Sequence, residues 1–366
     1  MIRRSIPRAL CALALATFAC HAAPVDACTG VRLRAKDGSV VYGRTLEYGI
    51  DLGSKAIILP REFALQGTAA DGRPGVAWKS RYAVVGMNGL GVSAIADGVN
   101  ERGLAGGIFY LPGYAHYQNA VKDDDSRTLA PWELITWLLT RCATVDEARA
   151  AIKDVRVVAV PAPGLGIVVP VHYVLHDATG ASLVIEYLKS GVQVYDNPIG
   201  VITNSPEFSW HLTNLENYIR LQGTNAPAIT IDGVTLQGFG QGNGLAGLPG
   251  DYTSPSRFVR ATALSHLALE GADGPEAIRQ LFHVLDSFDI PPGAVVDATS
   301  GKPVRETTIW TTGNDLTNRV FYFHTRDNRR VRRIALADFD LNARHVLEFP
   351  AETSEDYLDV QPAPAR

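Results

Sequence analysis

Cys28 stands where two sequence patterns meet. Before it, "ATFACHAAPVDA" closes a stretch laid out like an export signal; after it, "CTGVRLRAKDGSVVYGRTLEY" alternates as strands do. A cysteine that begins a mature chain carries nucleophile and base on one residue. Its α-amine, with a pKa of about 7.7, is neutral far more often than a lysine amine at about 10.4. Arg44 lies sixteen residues on, and Asp37-Gly38 is a hairpin turn signal between the two. Closing that hairpin returns the end of the second strand to the start of the first. Arg44 then comes near Cys28, and a neighbouring cation favours the thiolate that attack requires.

The leader supports a processed Cys28. Arg3, Arg4 and Arg8 form a positive n-region, Ala9 to Ala19 an apolar h-region, and Ala22, Ala23 and Ala27 follow as small residues. This is a signal-peptide layout, too short for a spanning helix of about 20 residues. Residues 1–27 are therefore expected to be removed, and export to the periplasm or medium follows. Val25 and Ala27 suit a cut before Cys28; a cut after Ala22 would leave a short Ala-Pro-Val-Asp-Ala propeptide, which the thiol itself could remove. Lipid attachment at Cys28 is a third route, although Asp26 fits a lipobox poorly. Of four cysteines, Cys11 and Cys20 leave with the signal, so Cys28 and Cys142 remain. Two cysteines do not make a disulfide scaffold. Cys142 reads as a small buried residue at a helix junction, with pairing to Cys28 left open.

These residues need a frame. The 366-residue chain is 46% apolar and 20% charged with net charge -4, an ordinary globular make-up without the basic footprint of a nucleic-acid binder. Residues 28–48 read as a hairpin. "SRYAVVGMN", "GLGVSAIADGVNERGLAGGIFYLPG" and "PVHYVLHDATGASLVIEYLKSGVQVYDN" read as strands with tight turns. "APWELITWLLTRC", "TVDEARAAIKDV" with Thr144 and Glu147 in capping-box spacing, "WHLTNLENYIRLQ", the stretch opened by Ser254-Pro255, and "PEAIRQLFHVLDSF" read as helices. "ETTIWTTGNDLTNRVFYFHTRDN" and "RRIALADFDL" return to strands. The pattern predicts antiparallel sheets covered by helices, an α+β chain with no Pro/Ser-rich linker, and hence one catalytic domain over residues 28–366.

Four fragments in order, "CTGVRLRAKDGSVVYGRTLEY", "ADGVNERGL", "IGVITNSPEFSWHLTNL" and "GQGNGLAGLPGDYTSPSRFVRA", resemble the choloylglycine hydrolase family. That family, with its bile salt hydrolases and penicillin V acylases, lies within the N-terminal nucleophile hydrolases. The resemblance implies a four-layer αββα sandwich of two antiparallel sheets. It implies Cys28 as nucleophile and Arg44 as the arginine beside the thiol. Asn204 matches the side chain, and Tyr110 the backbone N–H, of an oxyanion hole; Arg257 matches the arginine that holds the cysteine network. Glu47 stands where relatives commonly carry Asp against the α-amine, and its extra methylene changes that geometry. Tyr110 is closer to penicillin V acylases than to bile salt hydrolases. The implied substrate is a small amide with an apolar acyl group: penicillin V, a bile salt or an N-acyl-homoserine lactone. No cofactor and no metal is implied, and "WHLTNLENYIRLQ" resembles a segment used to build homotetramers.

Other chemistries find little footing. Gly242, Gly244 and Gly247 match G-x-G-x-x-G, but "LPGDYTSPSR" follows where a helix should, so a loop near the site is expected. His172 and His176 fall in strand-like sequence and read as sheet residues; Asn197 reads as a turn residue. Pocket loops are expected in residues 50–80 and 155–170. An exported binding protein or lipoprotein on the same scaffold, with Cys28 acylated or idle, is the alternative from another class.

Overall fold

The computed structural model describes residues 27–298, 303–351 and 354–361. The expected leader lies outside them except for Ala27. The strands that position the site are β1 (Cys28–Arg34), β2 (Val40–Tyr48), β3 (Ala56–Leu59), β4 (Val84–Met87), β5 (Asp97–Asn100), β6 (Ala105–Tyr110), β7 (Val171–His176), β8 (Ser182–Leu188), β9 (Gly191–Asp196), β10 (Val201–Ile202), β11 (Val304–Asp315), β12 (Val320–Thr325), β13 (Arg332–Ala335) and β14 (Leu347–Phe349). They form two antiparallel sheets. One runs β10-β1-β2-β11-β12-β13, with a short strand Val295–Asp297 beside β11; the other runs β9-β8-β7-β6-β5-β4-β3-β14.

Two cores separate four layers. Val31, Tyr42 and Trp310 of the first sheet and Val85, Phe109 and Val174 of the second fill one core, which continues into Phe258 and Leu281 of the helices Ser254–Leu267 (α4) and Gly274–Leu285 (α5). The other face of the second sheet, through Ile57, Tyr173 and Ile185, packs on Leu134, Leu138 and Val145 of two earlier helices, α1 (Leu134–Arg141) and α2 (Val145–Ala151); α3 (Phe208–Leu215) precedes α4 in the chain. The result is helices, sheet, sheet, helices: the αββα sandwich the resemblance implies. Apolar residues on both faces of both sheets leave no other stable arrangement than covering each sheet twice.

Local signals account for the elements. Thr144 accepts the Glu147 N–H at 3.2 Å and starts its helix as its spacing predicts, while the Glu147 carboxylate accepts from Ala143 N–H instead of closing the reciprocal bond. Asp37 Oδ1 accepts the Ser39 N–H and Gly38 takes φ +89°, which makes the β1–β2 turn. "WHLTNLENYIRLQ" is helical only in part: the helix is Phe208–Leu215, followed by one 3-10 turn.

Strand alternation sorts the β2 residues. Tyr42 and Arg44 face the second sheet, where they reach Asp97 and Ile108; Gly43 faces Leu281 and Leu285 of α5. A Cβ on Gly43 would collide with the Thr312 backbone oxygen of β11, and backbone has nowhere to go in a paired sheet. Gly43→Ala is expected to destabilise the protein by about 2–3 kcal/mol, read as a lower denaturation midpoint in urea; an unchanged midpoint would contradict this packing.

Candidate active site

The β1–β2 ladder pairs Cys28 with Leu46 and Gly30 with Arg44. Alternation therefore sends the Cys28 and Arg44 side chains to the same face, between the two sheets. Arg44 is wholly buried there. Its Nη2 lies 2.7 Å from Cys28 Sγ, Nη1 donates to the Ile108 carbonyl, and Nε donates to the Thr45 carbonyl at 3.2 Å. Its guanidinium sits 4.2 Å from the Phe109 ring centre and 5.2 Å from that of Trp310. A buried guanidinium is costly unless its donors are used, and this one aims its charge at a sulfur.

The backbone of Cys28 is held from the other face. In the full chain its N–H is still a peptide N–H, and it donates to Asn204 Oδ1 at 2.8 Å. The same oxygen accepts from Arg257 Nη2 at 2.6 Å, while Asn204 Nδ2 donates to the Tyr110 carbonyl at 2.8 Å. Three partners thus fix the amide's orientation and leave one Nδ2 hydrogen for another acceptor. Arg257, from the first turn of α4, also donates to the Cys28 carbonyl and to Thr29 Oγ1 at 2.9 Å. Its Nε is fixed by the Tyr252 carbonyl at 2.9 Å.

Glu47 lies on this second face. Its N–H donates to the Ala27 carbonyl at 3.0 Å, and its Oε1 accepts from Thr308 at 3.0 Å. Burial pushes its carboxyl up to about 7, opposed mainly by Arg257. Thr308 reaches it because β11 shifts register between Thr308 and Trp310. This bulge puts Thr308 on the helix side, although Trp310 faces the second sheet. Sequence reasoning missed Thr308, Trp310 and Phe109; "ETTIWTT" carries no sign of a bulge, and both aromatics read as ordinary strand residues.

An apolar pocket of about 130 Å³ opens on the thiol side. Cys28, Arg44, Phe109 and Tyr110 form its floor, Leu52 and Leu90 to Ala96 one wall, and Ala162 to Val169 the other. The expected 155–170 loop is there. Of the expected 50–80 stretch only Leu52 lines this pocket; the rest, through Phe63 to Trp78, borders a larger, more polar cavity of about 870 Å³ that shares Val92, Ala94, Trp132 and Pro163 with the first. The 89–96 segment takes the place that was assigned to 50–80, because β3 and β4 pair directly and carry the loop after β4 over Cys28. The glycine motif at Gly242 to Gly247 lies outside both cavities, beside an exposed hairpin, which corrects its placement near the site.

The remaining candidates fall into structural roles. His172 bonds Glu186 and the Thr203 carbonyl, and the His176 ring lies tilted against that of Tyr42, their centres 4.5 Å apart. Asn197 turns the chain by accepting from Gly200 N–H. No disulfide joins Cys28 to Cys142, so the open question of their pairing is answered. Among the described residues no group of three His, Cys, Asp or Glu could hold a metal, and no helix is long and apolar enough to cross a membrane.

Comparison with known proteins agrees with this geometry. The model of the "linear amide C-N hydrolases, choloylglycine hydrolase family" matches residues 28–349, beginning at the cysteine itself. A bile salt hydrolase/transferase from Lactiplantibacillus plantarum is 31% identical over 337 residues, covering 91% of this chain and 99% of its own. The crystal structure of a mutant conjugated bile acid hydrolase from Clostridium perfringens superposes with a TM-score of 0.82 at 27% identity, over 91% of this chain and 100% of that one. A penicillin V acylase from Agrobacterium tumefaciens shares the fold, with a TM-score of 0.70 at 24% identity over 88% of this chain and 91% of its own. The chain belongs to the choloylglycine hydrolase family and is an amidohydrolase acting on linear amides, built on the N-terminal nucleophile hydrolase fold.

Proposed function

We propose that this protein is an exported amidase whose nucleophile is the thiol of Cys28, made the first residue by removal of the leader. The observation that carries the reading is the Arg44 guanidinium 2.7 Å from a sulfur at the floor of an apolar pocket. The freed α-amine takes the thiol proton, and the thiolate attacks the substrate's amide carbonyl. The spare hydrogen on Asn204 Nδ2 and the Tyr110 N–H receive the developing oxyanion; losing one such donor costs about 3–4 kcal/mol of transition-state stabilisation. The amine then protonates the leaving nitrogen, and water releases the acid from the thioester. Glu47 and Arg257 hold the amine and the Cys28 carbonyl in place. No cofactor enters these steps.

The pocket bears on the substrate. An engineered cavity of about 150 Å³ accepts one benzene ring, so 130 Å³ beside the thiol suits a phenoxyacetyl group or part of a fatty acyl chain better than a fused steroid. Bile salts and penicillin V are the substrates named for the relatives. Pocket size and Tyr110 favour penicillin V and N-acyl-homoserine lactones here. The reading includes a homotetramer. It is supported by a hairpin, Ile229–Ile231 with Val234–Leu236, whose four apolar side chains stand about half exposed, and by Ile219 and Phe239 nearby in sequence.

Cys28→Ala is expected to lower penicillin V turnover by about a thousand-fold or more, with folding checked by circular dichroism; unchanged turnover would end the nucleophile assignment. In a panel of penicillin V, acyl-homoserine lactones and glycocholate, the first two should show the higher kcat/KM, and a clear preference for glycocholate would reverse the substrate reading. Light scattering should return four times the chain mass at micromolar concentration; a monomer would remove the assembly proposal.

A further inference from the structure

Behind Cys28, on the side away from the thiol pocket, lies a third cavity, of about 490 Å³. Ala27, Asn204, Tyr252, Arg257 and Glu306 line it. Glu306 is 1% exposed, and neither of its carboxylate oxygens has a hydrogen-bond partner. Glu47 Oε2 is buried without one as well. An unpartnered buried carboxylate is among the most costly groups a fold can carry; Glu306 borders this cavity with both oxygens unmet, and Glu47, whose other oxygen Thr308 meets, is close enough to act on it electrostatically. The β11 bulge that brings Thr308 to Glu47 brings Glu306 to the same face, since residues two apart on a strand share a side. Glu306 feels Glu47 from β2, Arg257 from α4 and Asp297 from the neighbouring strand; its burial and the first of these push its carboxyl up to about 7. Arg257 gives four of its five N–H groups to Cys28, Thr29, Asn204 and Tyr252, and it makes no hydrogen bond to Glu306.

A cation is missing from this arrangement, and processing creates one. When water adds across the Ala27–Cys28 peptide bond, Ala27 departs with a new carboxylate and Cys28 keeps an ammonium. Ala27 vacates part of the cavity wall, and the new amine faces the space that Glu306 borders. We propose that Glu306 is the second carboxylate of a two-carboxylate seat, with Glu47, for the α-ammonium of processed Cys28, and so a positioning residue that sets the amine's proton affinity. This rests on the N-terminal nucleophile reading above. In the uncleaved chain the nitrogen is a neutral amide and the seat holds no ammonium. The departing Ala27 carboxylate meets two carboxyls of like sign, which favours its release.

The full chain is expressed with its leader, purified, and its first residue identified by peptide mass. The pH dependence of kcat/KM for penicillin V is then compared in wild type and Glu306→Gln from about pH 5 to 9. Activity requires the neutral amine, and a nearby anion holds the amine protonated. Removing the anion should therefore move the acid limb to lower pH, by on the order of one unit. Glu306→Asp, which keeps the charge but withdraws it by one methylene, should shift the limb less in the same direction, and it reads the proposal if the Gln variant does not accumulate. Retention of Ala27 in the Gln variant alone would also support the seat. A limb that stays in place in variants beginning at Cys28, with activity merely lower at every pH, overturns it. An active wild type that still carries Ala27 instead sinks the N-terminal nucleophile reading itself.

Discussion

A guanidinium sealed between two β-sheets, touching a sulfur, is the constraint on which this structure turns. Arg44 has no solvent to hydrate it, so every donor must be met inside the protein. The Ile108 and Thr45 carbonyls and the Cys28 sulfur meet three of its five N–H groups, while Phe109 and Trp310 present ring faces to its charge. These partners come from both sheets. The sheets must therefore hold their spacing and β1 must keep its register, because a slip of one residue would turn Cys28 to the helix side and leave the charge unmet.

The first sheet separates two kinds of work by its pleat. Its inner face carries Cys28, Arg44 and Trp310 beside an apolar pocket, where an acyl group can lie against the sulfur. Its outer face carries Thr29, Glu47, Thr308 and Glu306 under Arg257 of α4. Asn204 joins the faces: its carbonyl oxygen receives the Cys28 N–H and Arg257, and its amide nitrogen reaches over to Tyr110 at the pocket floor. Cys28 thus presents its sulfur to the apolar pocket and its nitrogen to the polar side.

Much of the site was legible in the sequence because it is local or marked by motif order. Cys28 and Arg44 sit on one hairpin with a recognisable turn, so their approach needed only strand alternation. Asn204, Tyr110 and Arg257 came from the resemblance, not from any spacing, and the fold brings all three to Cys28. The 89–96 wall was missed because nothing in "GMNGLGVSAIA" says that the loop after β4 crosses the thiol; that depends on how the second sheet lies on the first. Glu306 was missed because a lone acidic residue at a strand edge looks like solvent-facing charge.

The chain by itself determined what short-range physics can reach: the alternation of β1 and β2, the Asp37-Gly38 turn, the capped helices, and a cysteine at the start of the first strand. Tertiary structure alone decided the bulge at Ile309, the burial of Glu47 and Glu306 on the far side of the sheet from the Cys28 sulfur, and the volume of the apolar pocket. Those depend on the relative placement of two sheets and four helices. Bulges and buried charges are tolerated only where long-range packing compensates them, and no window of sequence contains that packing.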